Sequence, residues 1–135
     1  MPNDIAKLRR IMRHANMMTN EHPANGNRSY ALTSARKIDN IRTDLSNGFL
    51  RFAYIKEEDL SVRNALGTLS PHFIPADKMP KTEKTERDIE EQEKRERLGI
   101  INYYDLDKDG WRSFYFYNLF IDEDENNYKA YPLNL

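Results

Sequence analysis

The sequence predicts an α+β protein: two N-terminal helices packed on a small β-barrel of five to six mostly antiparallel strands, forming one compact domain. Three observations point there. Apolar residues recur at helical spacing up to about residue 46 and at strand spacing beyond it. Asn47-Gly48 marks the change of period and is a suitable helix stop. Asp109-Gly110 stands between two aromatic runs, a strong hairpin signal.

The first helix begins with a cap at Asn3 or Asp4 and runs to about Met18. Ile5, Leu8, Ile11, Met12 and Ala15 form its apolar stripe, and Lys7, Arg9, Arg10, Arg13 and His14 put positive charge around it. Glu21 to Asn27, with Pro23 and Gly26, reads as a loop. A second helix runs from Ser29 to about Leu45, with Leu32, Ala35, Ile38, Ile41 and Leu45 on one face. Residues 1–46 are therefore the helical pair, and residues 47–135 the barrel.

The barrel opens with two strands, FLRFAYIK and SVRNALGTL, joined by Glu57-Glu58-Asp59-Leu60. Leu50, Phe52 and Tyr54 share one face; Phe49, Arg51, Ala53 and Ile55 share the other. Apolar residues on both faces suit a central strand. Gly67 falls where a strand could bend sharply. Pro71, Pro75 and Pro80 bracket a stretch that is no regular central strand. Residues 76–98 read as a charged insertion. Lys81 to Leu98 has only Ile89 and Leu98 as sizeable aliphatic residues, so it is expected to be an exposed, partly helical loop.

In the last hairpin, Ile101, Tyr103, Phe114, Phe116 and Phe120 share a core face, with Asp105 and Arg112 at its turn end. The opposite face carries Asn102, Tyr104, Trp111, Ser113, Tyr115 and Tyr117. A loop of Asp107 to Gly110 sets Asp105 opposite Arg112, with Gly110 taking the positive φ. A two-residue Asp109-Gly110 loop shifts the register by two and keeps the same faces. The mixed face is either covered by the helices or open to a planar or polar ligand. Tyr128 to Tyr131 reads as a short closing strand.

Composition narrows the function. The chain has no cysteine, which removes disulfides, thiol nucleophiles and Cys-ligated zinc and fits a reducing compartment. No apolar run approaches the length of a membrane span, so a cytoplasmic protein is expected. The net charge of -1 hides an asymmetry: residues 1–46 hold eight Lys/Arg against four Asp/Glu, and residues 99–135 hold three against seven. A basic end of this kind meets phosphates, an acidic partner or the protein's own tail.

Catalytic signatures are missing: there is no nucleophile elbow, P-loop or dinucleotide glycine pattern, so no enzyme, catalytic residue or cofactor is expected. Asp105-Leu-Asp107-Lys-Asp109-Gly110 copies the start of a calcium loop, but Phe116 stands where the bidentate glutamate belongs. His14, His22 and His72 lack metal-ligand spacing, so no metal is expected either. Arg51, Arg63 and Arg112 lie in apolar strands, where arginine either pairs with a carboxylate or recognises phosphates and bases. Asp105 is the expected partner of Arg112, and Glu57 or Asp59 that of Arg51 or Arg63. The candidate ligand-binding set is Arg9, Arg10, Arg13, Arg63, Tyr104, Trp111, Arg112 and Tyr115. In it the helical arginines attract phosphates, and Trp111, Tyr104 and Tyr115 stack.

Several stretches together resemble the WYL-like, Sm-like SH3 β-barrel family of small bacterial and phage proteins. They are Arg63-Asn64-Ala65-Leu66-Gly67-Thr68-Leu69, Ile74-Pro75, Tyr104-Asp105 and Trp111-Arg112-Ser113-Phe114. IMRHAN and Tyr30-Ala31-Leu32 are similar to that family's helical lead, so the resemblance spans most of residues 8–121. It implies an SH3-like (Sm-like) barrel and kinship with domains that sense nucleic acid or nucleotides in bacterial regulators. The expected function is thus a non-enzymatic nucleic-acid or nucleotide binding module with a regulatory, phage or mobile-element role, acting in a bacterial host cell. The alternative is a protein-interaction or virion component that binds a phage or host protein through residues 76–98 and the acidic tail.

Overall fold

The computed structural model describes residues 2–18, 28–124 and 127–130. Helix α1 (Pro2–Met18) and helix α2 (Arg28–Asn47) precede strands β1 (Phe49–Ile55) and β2 (Val62–Thr68). A third helix, α3 (Glu86–Arg97), leads into strands β3 (Ile100–Asp105) and β4 (Gly110–Tyr115). A 3-10 turn at Phe116–Asn118 follows, then β5 (Ile121–Asp124) and β6 (Asn127–Ala130). The loop expected at 21–27 and the end of the expected 128–131 strand lie outside the described residues.

The architecture departs from the expected barrel in one respect and adds to it in another. Among the described residues a third helix, α3, forms within the charged insertion beside the two N-terminal ones, and the strands form a four-stranded antiparallel sheet in the order β1-β2-β3-β4 plus a separate β5-β6 hairpin instead of one barrel of five to six strands. The chain only begins to close the sheet after the 3-10 turn: Leu119 bridges Tyr54, and the Phe120 N–H donates to the Ala53 carbonyl at 3.0 Å. β2 and β3 pair over two positions, Gly67 with Asp105 and Thr68 with Tyr104.

The core lies between α2 and the sheet. Ala31, Ala35, Ile38, Ile41 and Leu45 of α2 join Phe52, Tyr54, Tyr103 and Phe114 in one buried cluster. The four rings pack with neighbouring centroids 4.9–6.1 Å apart, and the Tyr54 and Tyr103 hydroxyls bond at 2.7 Å. That bond satisfies both phenols inside an apolar core. Gly67 is required by the closeness of these rings: a Cβ there would sit 2.8 Å from both Phe52 and Tyr103.

α1 uses only part of its apolar stripe. Ile11 and Ala15 are buried, but Ile5, Leu8 and Met12 stay about half exposed because α1 rests on α2 and α3 along its 11–14–15 edge. α3 carries almost no apolar surface and is held by polar contacts. Thr85 caps it in a reciprocal box with Asp88, and Gly99 ends it at φ 75°. His14 donates its ring Nε2 hydrogen to the Glu96 carbonyl at 2.7 Å, closing the last turn of α3.

The β3–β4 register differs by two residues from the expected one. Asp105 faces Gly110, Tyr104 faces Trp111 and Tyr103 faces Arg112. The turn is Leu106–Asp109, and the positive φ falls on Asp109 (54°), not on Gly110. The cause is Asp105, whose buried carboxylate accepts the Asp107 and Lys108 N–H groups at 2.9 and 3.0 Å and winds the chain into a wider turn. Because the shift is by two, every side chain keeps its face.

Candidate functional site

β4 is the free edge of the four-stranded sheet. The Phe116 N–H donates to the Gly99 carbonyl, which sets the alternation of the ladder, so the backbone groups of Trp111, Ser113 and Tyr115 point outward from that edge. A groove follows it. One cavity of about 450 Å³ lies between β4 and the end of β1, reaching Lys56, Glu57, Arg63 and Tyr115. A second, of about 770 Å³, runs from β4 beneath α3 and reaches Arg42, Lys84, Asn102 and Glu96. Arg95, Ile100, Trp111, Arg112 and Ser113 line both, so the two cavities adjoin along β4.

Each side chain is held by a different element. Trp111 packs edge-on against Tyr104, with centroids 5.6 Å apart, and its indole N–H donates to the Lys78 carbonyl at 2.6 Å. With 38% of its surface open, it offers part of a ring face to the groove. Arg95 of α3 donates from Nη2 to Asn102 at 2.8 Å. Arg112 Nε lies 3.3 Å from the buried Asp105 carboxylate, an ion-pair distance without hydrogen-bond alignment. The Nε–H groups of both arginines are buried and lack an acceptor among the described residues. Arg42 reaches the Ile100 carbonyl at 3.4 Å, and burial lowers the pKa of its guanidinium.

Of the residues expected from the sequence, Arg63, Trp111, Arg112 and Tyr115 come together in this groove. Tyr104 does not present a ring face: it is buried, and its hydroxyl bonds to Asp109, a carboxylate that pushes its pKa up to about 12. The α1 arginines lie elsewhere. Arg10 forks onto Asp39 of α2 at 2.7 and 3.3 Å, Arg13 stands 3.8 Å from Glu96, and Arg9 is exposed. Arg51 pairs at 3.8 Å with Asp107, and Lys56 rather than an arginine lies against Asp59.

Sequence reasoning missed Arg42, Lys84 and Arg95. Arg42 follows Ile38 by one helical turn inside the apolar stripe of α2, a position where a cation is held for a reason. Arg95 carried no such signal, because it stands in a run of like residues.

No group of three or more metal-ligating side chains occurs among the described residues. The calcium-like turn uses its own carboxylates: Asp105 on the turn and Arg112, Asp107 beside Arg51, and Asp109 on Tyr104. His14 serves α3, and His72 stacks edge-on against Phe73. No helix among the described residues is long and apolar enough to cross a membrane.

A family model described as WYL_2, Sm-like SH3 beta-barrel fold, matches residues 38–120. The match begins inside α2 and leaves out α1, so the helical lead at residues 8–37 is not part of it. No curated protein and no solved structure gives a match.

Proposed function

The chain belongs to the WYL_2, Sm-like SH3 beta-barrel family, and from that premise we propose that it is a non-enzymatic module binding nucleic acid or nucleotides, with a regulatory or phage-associated role in a bacterial cytoplasm. The observation that carries this reading is the groove along β4. There two arginines, Arg95 and Arg112, line a space also bordered by an indole. Guanidinium donors beside an aromatic ring suit a ligand that joins a phosphate to a base. The paired Arg10 and Arg13 give α1 a lesser part. Calorimetry at low salt with mononucleotides and short oligonucleotides tests the reading. Binding of either class that is weakened by Arg95→Gln, but hardly changed by Arg9, Arg10 and Arg13 all replaced with Gln, supports it; binding of neither class refutes it.

One observation favours a second reading, contact with a phage or host protein. Phe49 and Phe73 are exposed at 57% and 39% and pack edge-on at 5.5 Å, a small aromatic patch formed by the start of β1 and the Pro71–Pro75 turn. Specific co-purification with a protein, lost on Phe73→Ser and kept after nuclease treatment, would favour it.

A further inference from the structure

We propose that the free edge of β4 takes an extended segment of another protein as an added strand, one with apolar side chains on one face and carboxylates on the other. This goes beyond both readings above and depends on neither. Antiparallel pairing with β3 leaves the N–H and C=O groups of Trp111, Ser113 and Tyr115 directed away from the sheet. No other strand among the described residues pairs with β4, and Ser113 at its middle is exposed. Proteins commonly guard such an edge with proline, lysine or a bulge. β4 has no proline or lysine, its register with β3 runs unbroken, and its one charge, Arg112, is matched by Asp105 at 3.3 Å.

The two cavities lie one on each face of the added strand. Phe114 and Tyr54, of the core face, line only the first; Asn102, of the opposite face, lines only the second. Residues directly opposite one another on paired strands share a face. Those set against Trp111, Ser113 and Tyr115 therefore enter the second cavity, and the alternate ones enter the first. Leu69, Pro80, Ile100 and Trp111 in the second lining suit an aliphatic side chain. The first lining holds Arg63, half-buried opposite Tyr54, whose guanidinium has no hydrogen bond or ion pair among the described residues. Glu57 and Glu58 share that lining, but neither pairs with Arg63, and Glu57 accepts from Asn118 at 2.7 Å instead. A half-buried cation without its own carboxylate is a seat for one brought by a partner. Backbone pairing then supplies affinity, and the alternating side chains supply specificity.

The chain contains one tryptophan, within β4, so its emission reports on this edge directly. The test titrates the full chain with the acetylated and amidated peptide TVEVEVT, followed by Trp111 fluorescence and calorimetry. The expected result is saturable binding that weakens about tenfold when the central valine is N-methylated, as loss of one hydrogen bond predicts. N-methylation of a glutamate, whose N–H points away from β4, should be tolerated. Ser113→Pro removes the outward donor without touching the β3 ladder and should also weaken the peptide about tenfold; the two methylated peptides keep the test valid if that variant does not fold. Exchanging both glutamates for glutamine should weaken binding to the parent and change little with Arg63→Gln. No binding of the peptide, or equal binding of its two methylated forms, would overturn the added strand. A glutamine penalty that persists in Arg63→Gln would overturn the carboxylate seat. A dimer of the chain split by Ser113→Pro, with no peptide bound, would overturn the foreign segment in favour of a second copy.

Discussion

Replacing Gly67 with alanine separates two opposing effects, and the geometry says which is larger. In an unstrained strand, Gly→Ala stabilises by about 0.4–1 kcal/mol, because the unfolded chain has less freedom to lose. At Gly67 the added Cβ would lie 2.8 Å from Phe52 Cε1, 2.8 Å from Tyr103 Cδ2 and 3.1 Å from Phe52 Cζ. Neither ring has room to retreat. Phe52 and Tyr103 are 1% and 0% exposed, pack against each other at 5.0 Å, and Tyr103 is further tied by its hydroxyl to Tyr54. Overpacking of this kind costs about 1–3 kcal/mol, so the net expectation is a loss of about 1–2 kcal/mol and a fall in Tm of roughly 4–10 °C. Gly48 is the control, since a Cβ there meets nothing within 4 Å; Gly48→Ala should be neutral or slightly stabilising. Urea unfolding followed by circular dichroism measures both, and an unchanged m-value shows that stability alone has moved. Adding Phe52→Leu should cost less in the Gly67→Ala background than in the parent, because it relieves the overlap. A Gly67→Ala protein as stable as the parent would show that the rings yield, and the close-packed account of the core would fail.

Three further outcomes follow from the same structure. Phe114→Ala should cost about 3–5 kcal/mol, since the ring is buried among Phe52, Tyr54 and Tyr103. Trp111→Ala should cost clearly less in the same denaturation assay; equal losses would mean that the groove wall is part of the core. Replacing residues 81–97 with a Gly/Ser linker should lower stability by about 1–3 kcal/mol, the usual penalty for a buried polar group left without its partner, because His14 loses the Glu96 carbonyl; an unchanged melting temperature would show that the contact contributes nothing. Burial, opposed by the Glu96 contact and reinforced by Arg42 and Arg13, holds the pKa of His14 below its ordinary 6.5. The unfolded chain therefore takes up this proton first as pH falls, so stability should decline from about pH 6.5 downward. His14→Gln should remove that part of the slope in pH-dependent unfolding, and an identical slope would refute it.

The hairpin faces were legible because strand alternation survives a register error: Ile101, Tyr103 and Phe114 are core, and Asn102 and Ser113 are exposed. The register itself was not, because Asp-Gly suggests a turn through backbone preference, whereas here the Asp105 side chain decides it. α1 misled for a related reason. Helical spacing marks which residues share a face, but not how much of that face finds a partner, and Ile5, Leu8 and Met12 remain exposed. Half of the candidate site came from strand residues that stood out against an apolar background, Arg63, Trp111 and Arg112 among them. The rest came from Arg42 of α2 and from Lys84 and Arg95 of the charged segment, whose charges looked alike in sequence and are distinguished only by position: Arg95 turns onto Asn102 and the groove, and its neighbour Glu96 turns its carbonyl onto His14.

The narrow join between β2 and β3 bears on the order in which the chain folds. β1–β2 and β3–β4 are each local hairpins, of a kind that forms within about 1–10 μs. Their union must await closure of the connection at residues 69–99 and is rewarded by only two paired positions and the Leu106 N–H bond to the Leu66 carbonyl at 2.8 Å. Docking of preformed hairpins, driven by the meeting of Phe52 with Tyr103 and Phe114, is then the slow event. Closure cost grows only as the logarithm of loop length, with each doubling worth about 0.6 kcal/mol. Insertions between Pro80 and Thr85 should therefore slow folding modestly and leave the unfolding rate nearly untouched, which makes this connection a place where the chain can lengthen without losing the sheet.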